Sequence, residues 1–540
     1  MAQAKRVMLI FPPVTRPQDF ASQKVRVSIF FPLGIAYLAA VIQKTGKYDL
    51  QVLDALSEGD VNDGTPLADG KIRYGLTDQE LMDRIRAFNP DVVGVACLFS
   101  AMQWDMGNTC RLAKEVNPDI VTVIGGAHVG LTPQELIRQH KEVDFLIEGE
   151  AEVTLVKLLE SLNAGFLAPE LNGIAFWRDG KVQHIPKTDY IMDLDTIPFP
   201  ARDLFNMRKY FESPNSHGFY KRTPYTQMIT SRGCPNKCTF CALGAHWGSK
   251  QRMRSANNVL DEIEFLIQEY GIREIHFEDD NITSNKKRAM AIFEGMIERQ
   301  FNIIWHVPSG MAANTLDEEL LAKMKESGCY SLTLAIESGN QHVVSRLMKK
   351  PVHLKKIPGL VKQIRNLNMD VRGFFILGYP DETKENIRET INFAREIELD
   401  WSYFSIFSPL PGTKSYNTCL EKGYIKKEDF DPLRSFHQSI VRTPEFTPEY
   451  LAEIREEAIV DVCFRNNPNL LKYDINKAIE NFSSVVERYP HFDFANFYLG
   501  EAYLKKGEKS KAIQAYQDTL KSNPEHAAAK KRMEELQAAN

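Results

Sequence analysis

Ser231-Arg-Gly-Cys234-Pro-Asn-Lys-Cys238-Thr-Phe-Cys241-Ala242 places three cysteines at the spacing C-x3-C-x2-C, and no fourth follows nearby. Structural zinc and fully ligated iron–sulfur sites take four protein ligands. Three thiolates on one short loop suit instead a [4Fe–4S] cluster whose fourth iron is open to a small chelating cofactor. A competing reading is a zinc knuckle completed by a remote histidine such as His246.

Outward from this loop, residues 215–425 repeat a strand-then-helix unit. Strands are expected near Thr226–Thr230, Glu274–Phe277, Ile303–His306, Ser331–Ile336, Val371–Leu377 and Tyr403–Phe407. Amphipathic helices separate them near Val259–Tyr270, Lys286–Gln300, Asp317–Ser327, Leu354–Asn368 and Lys384–Glu398. Such βα repeats predict a parallel sheet or barrel, with its site on the loops after the strands. The informative residues fall there. The cysteines follow the first strand, Glu278-Asp279-Asp280 the second, Glu337-Ser-Gly the fourth, Gly378-Tyr-Pro-Asp381 the fifth and Ser408-Pro-Leu-Pro-Gly the sixth.

Residues 1–190 also alternate. Val7-Met-Leu-Ile-Phe11, Leu50–Asp54, Asp91–Cys97, Ile120–Ile124 and Val143–Ile147 read as short buried strands between helices. This predicts a doubly wound parallel sheet, whose ligand lies over the carboxyl ends of the strands. Phe99-Ser100, Gly125-Gly126-Ala-His128 and Glu148-Gly149 fall on that edge. A proline-containing linker, residues 191–214, separates the two units.

Composition agrees with a multidomain globular chain: 540 residues, 43% hydrophobic, 25% charged and a net charge of −5. The balance gives no electrostatic footprint for nucleic acid. No signal peptide or apolar span of membrane length is evident. Five of the eight cysteines are scattered, which fits buried free thiols and a reducing cytoplasm.

Two resemblances follow. Pro32-Leu-Gly-Ile-Ala-Tyr-Leu-Ala-Ala40, Gly125-Gly126-Ala-His128 and Asp144–Glu150 resemble the cobalamin-binding domain that precedes many radical S-adenosylmethionine (SAM) enzymes. The likeness implies cobalamin contacts from Ser100, Gly125, Gly126, His128, Glu148 and Gly149. The cobalt-ligating motif Asp-x-His-x-x-Gly is absent. His128 is either a substitute ligand or a solvated loop histidine. The cysteine loop, with Phe240 before its last cysteine, and the strand ends resemble the radical SAM superfamily. That resemblance implies a cluster on Cys234, Cys238 and Cys241, Phe240 beside the adenine, and SAM contacts from Glu278, Asp279, Asp280, Glu337, Gly378 and Asp381, with Glu382 an alternative to Asp381. The alternative for the three clustered acids is a set of helix N-cap residues before Ser284. Arg252 and Arg254 are read either as receptors for an anion or as solvated arginines, and Tyr379, Trp247 and His246 as candidate cavity residues.

The last segment repeats too. Ala478 and Ala512, Phe482 and Tyr516, and Pro490 and Pro524 recur at a spacing of 34, the tetratricopeptide period. Residues 426–470 read as a helical extension and 471–540 as the repeats, either a docking surface for a partner or for self-association, or a structural cap. Together the resemblances imply an α/β protein with an N-terminal Rossmann-like cobalamin domain, a partial (β/α)6 barrel and an α-helical repeat. They imply an oxygen-sensitive methyltransferase acting through a 5′-deoxyadenosyl radical and methylcobalamin. A small-molecule substrate and a reductant such as flavodoxin or ferredoxin would be needed. The alternatives are a non-methylating reaction resembling the anaerobic magnesium-protoporphyrin ester cyclase, and a catalytically dead repeat adaptor. A methylthiotransferase would need three further N-terminal cysteines, which Cys97 and Cys110 do not supply.

Overall fold

Strands rich in Val, Ile, Leu and Phe, buried on both faces, pair in parallel and need helices on each side. The computed structural model describes residues 5–17, 27–165, 171–211, 219–430 and 438–538. Its first ten strands are β1 (Arg6–Phe11), β2 (Val14–Pro17), β3 (Asp49–Asp54), β4 (Asp60–Pro66), β5 (Lys71–Gly75), β6 (Val92–Ala96), β7 (Val121–Gly125), β8 (Phe145–Ile147), β9 (Ile174–Arg178) and β10 (Lys181–Ile185). Seven form one sheet in the order β10-β9-β8-β7-β6-β1-β3. The run from β3 to β8 is parallel, and Val7, Met8, Leu9 and Ile10 are all buried within it.

Two features correct the expectation of a purely parallel sheet. β9 runs antiparallel to β8, and β10 to β9. Their turn, Asp179-Gly180, has φ of 51° and 71°, the paired positive values of a tight hairpin that Asp-Gly favours. The polar insertion after β3 also holds β4 and β5, which join β2 in a separate antiparallel sheet. Its charged, glycine-containing sequence hid the strand period.

The second unit contains β11 (Tyr225–Met228), β12 (Ser231–Arg232), β13 (Arg252–Met253), β14 (Glu274–Phe277), β15 (Ile304–Met311), β16 (Cys329–Glu337), β17 (Asp370–Leu377) and β18 (Trp401–Ile406). Six pair in parallel in chain order, β11-β14-β15-β16-β17-β18, the partial barrel expected from the βα repeats. β12 and β13 form a two-residue antiparallel stem, Ser231 opposite Met253 and Arg232 opposite Arg252. The cysteine loop hangs from this stem.

Helices Ile475–Arg488, Asp493–Lys506, Lys509–Ser522 and Ala527–Ala538 end the chain. Ala478, Phe482, Ala495, Leu499 and Ala502 belong to the same hydrophobic cluster as the barrel core. Phe464 joins the two: its ring lies 5.5 Å from Trp401 and 5.0 Å from Phe482. Lys477 reaches Asp370 at the start of β17 at 2.7 Å. The repeat is therefore packed onto the barrel. Among the described residues, no helix is long and apolar enough to cross a membrane.

Candidate functional site

The cysteine loop is stitched to the barrel mouth by one threonine. Thr239 donates to the Leu347 carbonyl at 2.7 Å, its hydroxyl lies 2.6 Å from that of Tyr379, and its N–H donates to the Met348 carbonyl. Tyr379 is buried, so it braces the loop and does not line a cavity. The three thiols are partly exposed, whereas the other five cysteines are buried. Burial raises all three thiol pKa values, that of Cys241 to about 11. Metal binding must therefore take their protons. Three partly exposed soft donors on one short loop fit an iron–sulfur cluster with one free iron.

The three acids after β14 separate into different roles. Asp279 is fully buried and accepts from the Thr230 N–H at 3.0 Å, the Thr230 hydroxyl at 2.7 Å and the Ser231 hydroxyl at 2.5 Å. Its oxygens are committed to the strand that leads into the cysteine loop, which corrects its reading as a SAM contact. Asp280 accepts from the Gly233 N–H at 3.0 Å. Burial raises its pKa to about 7, and that of Glu278 to about 8, the latter with help from Asp279. Glu278 and Asp280 are partly exposed and stand at the mouth.

At the end of β16, Glu337 has a left-handed φ of 73°. Its carboxylate accepts from Lys350 at 2.7 Å, and Lys350 in turn stands 5.9 Å from the Phe240 ring. Phe240 meets Tyr379 edge-on at 6.3 Å. Lys350 was not read from the sequence, since nothing in Lys349-Lys350-Pro351 marks it.

After β17, Gly378 has a φ of 79°, and a side chain there would meet Leu451. Asp381 is exposed and bound by Lys422 and the Tyr424 hydroxyl, so it points to a surface partner. Glu382 is the buried member, accepting from the Tyr379 N–H at 2.7 Å. Its Oε1 has no partner, and burial raises its pKa to about 8. Of the two acids, Asp381 is thus engaged at the surface and Glu382 is the one enclosed beside Tyr379.

The opposing edge belongs to the N-terminal sheet. Leu98 and Phe99 are exposed there, Phe99 at 53%, beside Ser100. A large exposed aromatic beside glycine turns fits a broad, partly apolar ligand such as a corrin. Gly126 has a φ of 121°, and a Cβ on it would stand 2.5 Å from the Cys97 carbonyl. His128 is buried, neither solvated nor free: Nδ1 lies 3.0 Å from the Ser100 hydroxyl and Nε2 3.2 Å from Gln103. Burial, with His140 adding to it, lowers its pKa to about 4, so it is a neutral brace. Glu148 is held by His184 at 2.8 Å.

The two edges meet. A Cβ on Gly130 would lie 2.9 Å from the Ala245 carbonyl, and one on Gly149 3.0 Å from that of His246. Turns after β7 and β8 thus rest on helix Leu243–Trp247, which begins two residues after Cys241. His246 and Trp247 lie at this junction, with the His246 pKa lowered to about 4 by burial. Arg252 and Arg254 are neither solvated nor anion receptors. Arg252 pairs with Glu150 at 2.5 Å, and Arg254 pairs with Glu262, which also holds Arg202. Sequence reading missed the Arg252–Glu150 and Arg202–Glu262 pairs because their partners lie far apart along the chain.

On the barrel floor, Glu274, His276 and His306 converge within metal-binding distance. The Glu274 carboxylate already accepts from the Lys221 and Arg222 N–H groups and the Tyr330 hydroxyl, and it contacts His276. The Glu274 carboxylate is thus already committed to a buried polar network.

Fold and site define a class: a partial-barrel iron–sulfur enzyme with a sheet-edge cofactor domain before it. Residues 228–394 match the Radical SAM superfamily, residues 24–159 the B12 binding domain, and residues 494–526 a tetratricopeptide repeat. The chain is 36% identical to cytidylyl-2-hydroxyethylphosphonate methyltransferase of Streptomyces wedmorensis, over 77% of this chain and 82% of that one. It is 28% identical to the anaerobic magnesium-protoporphyrin IX monomethyl ester cyclase of Rubrivivax gelatinosus, over 89% and 80%. The structure of the radical SAM methyltransferase TsrM from Kitasatospora setae shares the fold, with a TM-score of 0.65 at 14% identity, covering 94% of this chain and 100% of that one. The chain belongs to the radical SAM superfamily, in its cobalamin-dependent branch. Its cofactors are a [4Fe–4S] cluster, SAM and cobalamin.

Proposed function

We propose that this enzyme methylates an unactivated carbon of a small molecule, with the substrate held between the barrel mouth and the exposed edge of the N-terminal sheet. The observation that carries this reading is the direct contact of the β7 and β8 turns with the helix following Cys241. It brings the cobalamin domain and the cysteine loop to one junction. When bound, the cluster and SAM supply a 5′-deoxyadenosyl radical, and cobalamin supplies the methyl group.

The residues of the chain do the positioning. Cys234, Cys238 and Cys241 hold the cluster. Glu278 and Asp280 offer acceptors to the SAM ammonium group, and the Glu337–Lys350 pair offers both signs of charge to its ribose and carboxylate. Phe240 and Glu382 flank the adenine. Leu98, Phe99, Ser100, Gly125, Gly126 and Gly149 form the cobalamin edge, with His128 bracing it from behind. A reductant such as flavodoxin or ferredoxin would deliver the electron in the cytoplasm. The repeats, packed as a cap, would present their outer helices to a protein partner.

A cyclase-type outcome is the second reading, favoured by the extent of the cyclase match. The test is anaerobic reconstitution with iron, sulfide and hydroxocobalamin, then SAM and a strong reductant, against Cys238→Ala. Bound corrinoid with both 5′-deoxyadenosine and S-adenosylhomocysteine supports methylation. Deoxyadenosine with bound corrinoid but no S-adenosylhomocysteine favours the cyclase-type outcome. No cluster and no SAM cleavage overturns both.

A further inference from the structure

Four charged side chains are buried between the two α/β units and serve neither cofactor directly. The Oε1 of Glu150 accepts from Arg232 at 2.7 Å and from Arg252 at 2.5 Å, and its Oε2 accepts from the Ile191 N–H at 2.9 Å. Arg232 donates to Glu152 as well, at 2.5 Å. Its guanidinium lies 5.5 Å from the ring of Tyr37 and 5.1 Å from that of Trp247. Glu150 is 2% exposed, Arg252 3% and Arg232 5%.

The placement gives the cluster its meaning. Arg232 and Arg252 are register partners in the β12–β13 stem, the two ends of the segment that carries all three cysteines. From the barrel side, Asp279 and Asp280 grip Thr230, Ser231 and Gly233. From the other side, Glu150 and Glu152 grip the stem through Arg232 and Arg252. Glu150 follows β8 in the unit that carries the cobalamin edge. A buried carboxylate between arginines costs much desolvation for little net stability, so fixed geometry is its attested use.

We propose that Glu150 is a positioning residue for methyl transfer: through Arg232 and Arg252 it fixes the cysteine loop relative to the cobalamin domain. The proposal rests on the methyltransferase reading above. SAM bound at the loop must pass its methyl group to a cofactor carried by a different domain, and a displacement of about 1 Å costs on the order of 100-fold in such a step.

The test compares wild type with Glu150→Gln and Glu150→Asp. Hydrogen–deuterium exchange on the cofactor-free chain reads the stem directly. Reconstituted enzyme is assayed for iron, corrinoid, 5′-deoxyadenosine and S-adenosylhomocysteine. Glu150→Gln is expected to raise exchange in residues 229–253, to keep iron and corrinoid, and to lower the ratio of S-adenosylhomocysteine to deoxyadenosine about tenfold. Glu150→Asp, which keeps the charge, should recover most of that ratio. Wild-type exchange and ratio in Glu150→Gln would overturn the proposal. So would a parallel loss of iron and both products, which marks simple unfolding. If Glu150→Gln is insoluble, Glu152→Gln removes one carboxylate from Arg232 and runs the same comparison at smaller amplitude. If wild type itself binds corrinoid but makes no S-adenosylhomocysteine, the methyltransferase reading fails, and the exchange data still decide whether Glu150 holds the stem.

Discussion

Replacing Asp279 by alanine separates a loop-holding carboxylate from a SAM contact. The side chain is fully buried and takes three hydrogen bonds, two from Thr230 and one from Ser231. Truncation leaves these donors without their acceptor, at about 1–3 kcal/mol for each buried group left unmade. Burial raises the Asp279 pKa, so part of that cost is offset by no longer burying a charge. The net expectation is a loss of about 3–6 kcal/mol, concentrated where β11 passes into the cysteine loop. Asp280→Asn disturbs only the Gly233 N–H contact and should cost about 1 kcal/mol. Urea unfolding followed by near-ultraviolet circular dichroism gives the stability difference, and iron content after reconstitution gives the state of the loop. Asp279→Ala should unfold at lower urea and retain little iron, with Asp280→Asn close to wild type in both. If Asp279→Ala keeps the wild-type midpoint and iron content while SAM binding weakens, Asp279 contacts the cofactor and the reasoning is wrong.

The remaining expectations draw on other parts of the fold. The folded-state pKa of Glu382 is raised by burial from the ordinary 4.5 to about 8, so its contribution to stability is complete below 4.5 and is lost as pH rises through 8. The urea midpoint of the cofactor-free protein should therefore fall between about pH 4.5 and pH 8 and level off above that, and fall less in Glu382→Gln; equal slopes in the two proteins would contradict the burial argument. Gly126→Ala places a Cβ at φ 121°, 2.5 Å from the Cys97 carbonyl, a strain of about 1–3 kcal/mol before the clash is counted. Hydroxocobalamin retention on gel filtration should drop in that variant, and undiminished retention would remove Gly126 from the cobalamin edge. Phe464→Ala empties the contact among Trp401, Phe482, Phe492 and Tyr498 at about 3–5 kcal/mol. Limited proteolysis should then release the repeat helices, whereas an unchanged digestion pattern would mean that the junction is held elsewhere.

What the sequence determined alone is what local pattern encodes. The C-x3-C-x2-C spacing, the alternation of apolar runs with amphipathic helices and the 34-residue recurrence each need only nearby residues, so they announce the cluster loop, both sheets and the repeat. The Asp179-Gly180 hairpin was equally local, but it was obscured by the charges around it. Tertiary structure decided which of several similar side chains does what. Asp279 and Asp280 are neighbours in the chain, yet burial beneath Thr230 and Ser231 commits one to the loop and leaves the other partly open. Asp381 and Glu382 differ in the same way, one drawn outward by Lys422 and the other enclosed beside Tyr379. Lys350 acquires its place from Glu337, and Arg252 from Glu150, a residue of the other domain. Each of these assignments depends on desolvation and on partners brought together only by packing, and neither leaves a periodic trace along the chain.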